Sequence, residues 1–290
     1  MKKLQTLFIA SLLLVGASCC PKEGAKECCK KGGTLEQPIG VQLYSLRHEI
    51  GNDFDGTIKL LGDIGYQTIE AAGYGDGKFY GKTPEEFKAA IEAVGMKVLS
   101  SHAFIGLEDK EVASKDFSKS LAKWDAMIAA HKATGMKYIV CAGIGVPDKL
   151  AELQTYCDYF NAIGKKCKEQ GLEFGYHNHS HEFEEVEAVT MYNYMLEHTD
   201  PALVLFQMDV YWTVMAKKSP VELFKQYPGR FKLLHIKDHR ELGQSGMVGF
   251  DAIFKNLEVA GTKEFIVEIE AFTNTPAEGM KACFDYLKSY

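Results

Sequence analysis

The stretch from Phe231 to Glu270, "FKLLHIKDHRELGQSGMVGFDAIFKNLEVAGTKEFIVEIE", contains the structural unit that recurs along this chain. Its two short apolar runs, "FKLLHIK" and "EFIVEIE", have the composition of buried strands. Between them, a helical pattern near residues 251–260 follows a glycine-rich loop, and Asp251 is placed to cap that helix. A strand, a helix and a second strand in this order predict a parallel pair joined by a crossover helix.

The same alternation begins at Ile39 and continues to the C-terminus. Six further runs have strand character: "IGVQLYS", "YQTIEAA", "MKVLSSH", "KYIVCA", "LEFGYHN" and "LVLFQMD". Helical patterns lie between the strands, near Asp53 and over residues 83–95, 116–134, 147–170, 188–197, 219–227 and 276–288. Eight strands, each followed by a helix, predict an α/β fold of one domain, a (β/α)8 TIM barrel. An open doubly wound sheet would carry a glycine-rich phosphate turn after its first strand, and "YSLRHEIGND" stands there instead.

The N-terminus has a different character from the rest of the chain. Lys2 and Lys3 precede the apolar run "LQTLFIASLLLVGA", and Cys19 and Cys20 follow small residues. This order predicts a signal peptide over residues 1–18, of the lipoprotein kind or an ordinary cleaved one. Residues 19–37 are polar and rich in Gly and Lys, as expected of a flexible tether, and the barrel spans residues 38–290. We therefore expect an exported protein, either periplasmic or anchored in the bacterial cell envelope through Cys19 or Cys20.

The composition restricts the partners. The chain has 290 residues and a net charge of −6. An acidic balance argues against a nucleic-acid partner, because such proteins need a clustered basic face. Contact with a membrane is expected only through the N-terminal lipid anchor. Cys157, Cys167 and Cys283 fall on apolar helical faces, which predicts core packing and no disulfide framework.

Polar residues collect at the predicted C-terminal ends of the strands, where TIM barrels carry their active sites. They are Glu70, His102, His177, His179, Asp209, His235, Lys237, Glu268 and Glu270. Burying such charges without partners would be costly, and a divalent ion such as Mn²⁺, Co²⁺, Zn²⁺ or Mg²⁺ offsets that cost. We predict one metal ion bound by His177, Asp209, His235 and Glu270. Glu268, one layer deeper, is either a structural hydrogen-bond partner or a functional residue, and His131 is expected to pack in the core.

Five motifs carry a resemblance to a known family. "GVQLYSLR", "YHNHSHEF", "MDVYW", "LHIKD" and "VEIEAF" resemble segments of the xylose isomerase-like TIM barrels, the sugar isomerase/epimerase superfamily, over residues 38–290. The resemblance implies a divalent metal held by Glu, Asp, His and Glu from strands five to eight. Asp209, His235 and Glu270 match the last three positions, whereas His177 stands where the epimerases have glutamate. The paired carboxylate bases are therefore incomplete, and Glu182 or His179 is available to replace the missing base.

The resemblance also implies the chemistry, which begins with removal of a proton next to a sugar carbonyl. Glu270, His179 and Glu182 are the acid/base candidates, and Lys237 is placed to hold a substrate oxygen. Glu70, His102 and Trp212 are expected to line the sugar pocket. The implied activity is that of a metal-dependent sugar isomerase or epimerase. The alternative is a 3-keto-glycoside lyase or hydratase. A non-catalytic sugar-binding lipoprotein is the third and least favoured function. The implied partner is a small-molecule sugar, and a homo-oligomer is possible.

Overall fold

A computed structural model describes residues 37–290, and eight parallel strands form the centre of this region. The strands are β1 (Ile39–Gln42), β2 (Thr68–Ala71), β3 (Lys97–His102), β4 (Tyr138–Cys141), β5 (Glu173–His177), β6 (Val204–Asp209), β7 (Leu233–Lys237) and β8 (Glu264–Glu268). Each strand pairs with the next, and β8 returns to β1 with Ile39 opposite Phe265, so the sheet is a closed barrel. The predicted (β/α)8 barrel is confirmed. The predicted signal peptide and most of the tether lie outside the described residues.

Helices surround the barrel in the predicted order. They are α1 (Arg47–Asn52), α2 (Phe54–Ile64), α3 (Pro84–Glu92), α4 (Asp109–Ser114), α5 (Ser118–Thr134), α6 (Leu150–Glu169), α7 (Met191–His198), α8 (Val210–Met215), α9 (Pro220–Gln226), α10 (Phe250–Phe254), α11 (Leu257–Ala260) and α12 (Pro276–Lys288). The helix expected near residues 251–260 is divided into α10 and α11. Over residues 37–290, no helix combines the length and apolar character that crossing a membrane requires.

Local sequence signals fix several of these boundaries. Thr83 accepts the backbone N–H of Glu86, whose carboxylate in turn accepts the N–H of Thr83, and Pro84 occupies the first helical position of α3. This capping box satisfies two amide groups that would otherwise lack partners at the helix start. The same arrangement of Thr275 and Glu278 begins α12. The two helices therefore begin where the sequence predicts.

The apolar core has two parts. The larger part lies between the strands and the helices, and its most buried large side chains include Trp124, Phe160, Phe174 and Phe206. A separate small cluster comes from strands β3, β4, β6, β7 and β8 and consists of Leu99, Tyr138, Val140, Leu205, Leu233 and Ile266. Alternate strand residues fill a barrel in layers, so this cluster closes the interior below the polar end. A Cβ atom at Gly175 would lie 2.6 Å from Cδ1 of Leu205, which explains the glycine in the middle of β5.

The cysteines of the described region are all core residues. Cys141, Cys157, Cys167 and Cys283 are fully buried and free. Burial raises the pKa of each thiol, since an apolar surrounding disfavours the charged thiolate. The predicted structural role of Cys157, Cys167 and Cys283 is confirmed.

Candidate active site and metal centre

The ends of strands β5 to β8 bring four potential ligands together. His177, Asp209, His235 and Glu268 each offer one ligand atom, and these atoms all lie within 4.8 Å of one another. We call these four residues the central group. All four are buried, with residue exposures of 1%, 0%, 0% and 5%. The sequence predicts three of them as ligands; the fourth expected ligand was Glu270.

Glu270 does not belong to the central group. Strand β8 ends at Glu268, so Glu270 lies beyond the strand and its side chain is 38% exposed. Its carboxylate forms an ion pair with Lys237. The inward position that faces the other three ligands is one layer deeper, at Glu268. The structure thus differs from the expected ligand set at this one position, where period-two alternation gave two equivalent choices.

Asp209 has one free carboxylate oxygen. Its Oδ1 accepts the backbone N–H of Trp212 at 2.8 Å and caps α8, whereas its buried Oδ2 has no hydrogen-bond partner. Burial raises the pKa of Asp209 to about 7, although Lys237 opposes that rise. A buried acceptor without a partner is unfavourable, and a cation at this position would satisfy it.

His177 is held by an amide that fixes its free nitrogen. Gln207 donates from Nε2 to Glu70 at 2.8 Å, so its Oε1 is an acceptor. Nδ1 of His177 lies 3.1 Å from that oxygen and therefore carries the hydrogen. Burial holds the pKa of His177 well below its usual range, so the ring is neutral at physiological pH and Nε2 has a lone pair. A neutral imidazole oriented by a second residue is the form that binds metal ions.

His235 lies between two carboxylates. Its Nδ1 is 2.9 Å from Oε2 of Glu268, and its Nε2 is 2.6 Å from Oε1 of Glu70. Burial alone would lower the pKa of His235, but the two carboxylates raise it to about 10. Glu70 is affected in the opposite sense: burial favours its neutral form, but His102 and His235 hold its pKa well below the usual range. The His235 imidazolium thus offsets the negative charge of the two buried carboxylates.

Glu70 supports the site from inside the barrel. It is fully buried, and its two oxygens accept hydrogen bonds from Gln42 at 2.8 Å, Ser100 at 2.6 Å and Gln207 at 2.8 Å. The sequence predicts Glu70 in the sugar pocket, whereas the structure places its carboxylate in a saturated buried network. Gln42, Ser100 and Gln207 are polar residues at inward strand positions, which is the signal that identifies such a network.

A cavity of about 480 Å³ opens onto the central group at His177 and Glu268. Its lining residues come from several strand ends and loops: Tyr44, Ala72, His102, Ala103, Phe104, Ala142, Gly143, His177, His179, Glu268 and Glu270. We call it the main cavity. His102 thus lies in the wall of the main cavity. Trp212 lies in an adjoining cavity that shares Ala142, Gly143 and His179 with this one.

Lys237 is a buried cation beside the central group. Its residue exposure is 1%, and its Nζ lies 3.5 Å from Oε2 of Glu268 and 5.0 Å from the centroid of the Trp212 ring. Burial opposes the charged form, but Asp209, Glu268 and Glu270 raise the pKa of Lys237 above its ordinary value. The ammonium therefore stays charged, paired with Glu268 and Glu270.

The two remaining acid/base candidates, His179 and Glu182, lie in the loop after β5. They differ in whether the side chain reaches the main cavity. Glu182 is fully buried; it accepts the Tyr176 hydroxyl at 2.9 Å and the backbone N–H of His179 at 2.7 Å. It therefore orders the loop. His179 lines the main cavity, and burial lowers its pKa, so its imidazole is neutral at physiological pH. Of the two, His179 is the one whose side chain reaches the cavity.

Comparison with known proteins agrees with the barrel fold. Residues 58–290 match the family model of the xylose isomerase-like TIM barrel. A crystal structure of a sugar phosphate isomerase/epimerase from Parabacteroides distasonis is 35% identical, with a TM-score of 0.79, covering 86% of this chain and 97% of that protein. A second structure of that description, from the same organism, is 31% identical with a TM-score of 0.82, covering 87% and 96%.

A curated relative has a different activity. The inosose dehydratase of Geobacillus kaustophilus is 22% identical over 202 residues, which is 64% of this chain and 62% of that enzyme. The chain thus spans less than two thirds of the length of that relative. The resemblance to the xylose isomerase-like TIM barrels, inferred from five motifs, is confirmed by the family match. This chain belongs to the xylose isomerase-like TIM barrel family.

Proposed function

We propose that this chain is a metal-dependent enzyme that removes the proton next to the carbonyl of a keto-glycoside and then eliminates the group on the neighbouring carbon. The observation that carries this proposal is the central group at the base of the main cavity. A lyase of this kind is in keeping with the dehydratase relative, which also belongs to the carbon–oxygen lyases. The proposal names a reaction class and leaves the individual sugar open.

The donor set of the central group fits a divalent ion. His177, Asp209, His235 and Glu268 would supply two imidazole nitrogens and two carboxylate oxygens, which suits Zn²⁺, Mn²⁺ or Co²⁺. The unpartnered Oδ2 of Asp209 is the acceptor that such an ion would satisfy. When bound, a divalent ion polarises a carbonyl oxygen and stabilises the charge that develops on it.

His179 is the proposed base. It lies in the wall of the main cavity, and its lowered pKa keeps the imidazole neutral and able to accept a proton. The hydrogen bond from its backbone N–H to Glu182 fixes the loop that carries it. Lys237, a charged ammonium in contact with Glu268 and Glu270, is placed to stabilise negative charge on a substrate oxygen.

The identity of residue 177 favours elimination over epimerisation. Epimerisation removes a proton from one face of a carbon and returns one to the opposite face, so it needs an acid/base group on each side. The family pattern implies a carboxylate at position 177 for this purpose, and this chain has a neutral, buried imidazole there. Elimination can proceed with one acid/base group: the neutral imidazole of His179 takes the proton from carbon, and the imidazolium so formed returns it to the departing oxygen, which leaves as an alcohol.

An isomerase or epimerase is the second candidate. It is favoured by the two Parabacteroides distasonis structures of sugar phosphate isomerase/epimerases. The alignment with this chain covers 97% and 96% of those two proteins. Glu268 and His179 both line the main cavity and would be the two acid/base groups. This reading requires that Glu268 exchange a proton while it belongs to the central group.

A direct test follows the substrate proton by NMR in D₂O. We expect methyl 3-keto-β-D-glucoside to release methanol and free ketoses to remain unlabelled. Deuterium uptake by free ketoses without glycoside cleavage would instead support the isomerase. His179→Gln should lower the elimination rate by about 10²–10⁴-fold, the usual contribution of a general base. His198→Gln is a matched control, because His198 stacks on Tyr194 at an exposed site on α7.

The cellular location is a separate proposal. We propose that the chain is exported and lipidated at Cys19 or Cys20, on the basis of the basic and apolar N-terminal sequence. Radiolabelled palmitate should enter the wild-type protein in a bacterial host. A variant with both Cys19→Ala and Cys20→Ala should not incorporate the label. Equal labelling of the two proteins would rule the proposal out.

A further inference from the structure

A second, smaller cavity adjoins the main cavity. It has a volume of about 280 Å³ and shares two lining residues, Tyr44 and Ala72, with the main cavity. Its other walls include Ile50 and Phe54 from α1 and α2, and Tyr80 from the segment after β2. We call it the side cavity. The two cavities therefore meet at Tyr44 and Ala72.

Arg47 is the one charged residue that lines the side cavity; the other walls are aromatic, aliphatic or glycine. The Phe54 and Tyr80 rings lie 5.6 Å apart, and the hydroxyl of Tyr80 accepts the backbone N–H of Ala72 at 2.8 Å. Because that hydrogen bond occupies the hydroxyl, the Tyr80 ring presents mainly carbon to the space. The volume is near the lower end for small-molecule pockets, which is about 300 Å³, so it suits one ring system.

Tyr44 forms the boundary between the two cavities. Its residue exposure is 45%, which makes it an exposed large aromatic side chain at the mouth of the barrel. The guanidinium of Arg47 lies 4.6 Å from the centroid of the Tyr44 ring and donates to the Tyr44 carbonyl at 3.1 Å. A cation stacked on one face of the ring restrains its orientation. The ring is thus held as a platform on which a planar group can stack.

We propose that the side cavity binds a planar aromatic aglycone, so that the substrate is an aryl glycoside whose oxidised sugar occupies the main cavity. This inference rests on the proposed function, because it assigns the group that would be eliminated. Aromatic rings favour offset or edge-on contacts with one another, and Tyr44, Phe54 and Tyr80 supply such partners. A methyl or small polar aglycone would leave the side cavity without a ligand.

The kinetic test compares two substrates, 4-nitrophenyl 3-keto-β-D-glucoside and methyl 3-keto-β-D-glucoside. Nitrophenolate leaves more readily than methoxide, so the informative quantity is the change in the ratio of their kcat/KM values on mutation. We expect Tyr44→Ala to lower this ratio by about three- to tenfold, as loss of one aromatic contact predicts. Met247→Ala, at another exposed apolar residue with 45% exposure, should leave it unchanged. An unchanged ratio in Tyr44→Ala would overturn the inference.

A binding test separates this inference from the proposed function. Saturation-transfer NMR with unoxidised phenyl β-D-glucopyranoside needs no turnover, and we expect saturation of the phenyl protons that Tyr44→Ala weakens and Tyr44→Phe retains. If the methyl keto-glucoside reacts but the phenyl protons show no saturation, the side cavity is not an aglycone site and the proposed lyase stands. If the phenyl group binds through Tyr44 but no keto-glycoside reacts, the binding site stands and the proposed reaction fails.

Discussion

Oε1 of Glu70 lies 2.6 Å from Nε2 of His235, and both side chains are fully buried. The contact joins the second strand of the barrel to the seventh across its interior. Each group favours the charged form of the other, which raises the pKa of His235 and lowers that of Glu70. The pair therefore orients a ring of the central group and also holds opposite strands together.

Replacing Glu70 by Gln should destabilise the protein. The change leaves a buried imidazolium with one carboxylate instead of two, and removal of one partner from a buried ion pair costs about 3 kcal/mol or more. We expect a loss of about 3 kcal/mol in the free energy of unfolding in urea at pH 7, measured on protein freed of metal with a chelator. Glu173→Gln is the control, because the Glu173–Lys232 pair is half-exposed and such pairs contribute at most about 1 kcal/mol. Equal losses in both variants would contradict this assignment.

Metal content should distinguish Glu268 from Glu270. We expect purified Glu268→Gln to hold at least about tenfold less divalent metal than the wild type, because that carboxylate is in the central group. Glu270→Gln should retain the wild-type amount, since Glu270 contacts Lys237 beyond the strand end. Elemental analysis by mass spectrometry measures both. The opposite order would restore Glu270 as the ligand, and wild-type metal in Asp209→Asn would argue against the whole site.

His131 should make the stability depend on pH. The side chain is fully buried against the Tyr74 and Phe79 rings, and burial lowers its pKa from 6.5 to about 4. Its folded-state pKa is below the unfolded value, so the unfolded state binds the proton first as the pH falls. The associated stability is fully present above pH 6.5 and is lost progressively towards pH 4. A difference of this size corresponds to about 3 kcal/mol.

The measurement is the free energy of unfolding of wild type and His131→Leu between pH 7.5 and pH 4. The wild type should lose more stability than the variant over this interval, so the difference between the two changes by about 3 kcal/mol. Parallel curves would show that His131 does not titrate differently in the folded and unfolded states.

Gly175→Ala should test the packing inside the barrel. The added Cβ would meet Leu205 at 2.6 Å in the small interior cluster, and overpacking a core costs about 1–3 kcal/mol. Gly51→Ala is the matched control, because Gly51 lies in α1 with nothing within 4 Å of the added atom. There the exchange should stabilise the protein slightly, through helix propensity. The measurement is the free energy of unfolding of both variants in urea. If Gly175→Ala leaves that free energy unchanged, the interior cluster is loosely packed.

Sequence patterns predicted the barrel because every strand has a short apolar run and every crossover has a helical period. They also placed His177, Asp209 and His235 together, since parallel strands carry their C-terminal ends to one edge. They did not distinguish Glu268 from Glu270, because alternation assigns both to the same face and only the strand end separates them. Nor did they show that Glu70 is enclosed, because its donors Gln42, Ser100 and Gln207 come from three other strands.

The loop residues were the least predictable part of the site. Tyr44 and Arg47 follow β1 without regular periodicity, and their stacking depends on a 3-10 turn from Leu43 to Leu46 that the strand pattern conceals. Glu182 looked like an available carboxylate, but the Tyr176 hydroxyl that engages it is six residues away along the chain. Such contacts depend on loop conformations that no periodic pattern encodes.

The pairing of Ile39 with Phe265 has a consequence for biosynthesis. The first strand acquires its second neighbour only when almost the entire chain has been made, so until then β1 and β7 are both open sheet edges. Unpaired edges are templates for association with other chains. A nascent or truncated chain that ends before residue 264 would therefore be prone to aggregate. A chaperone that holds unfolded chains would be of most use until the last strand has been synthesised.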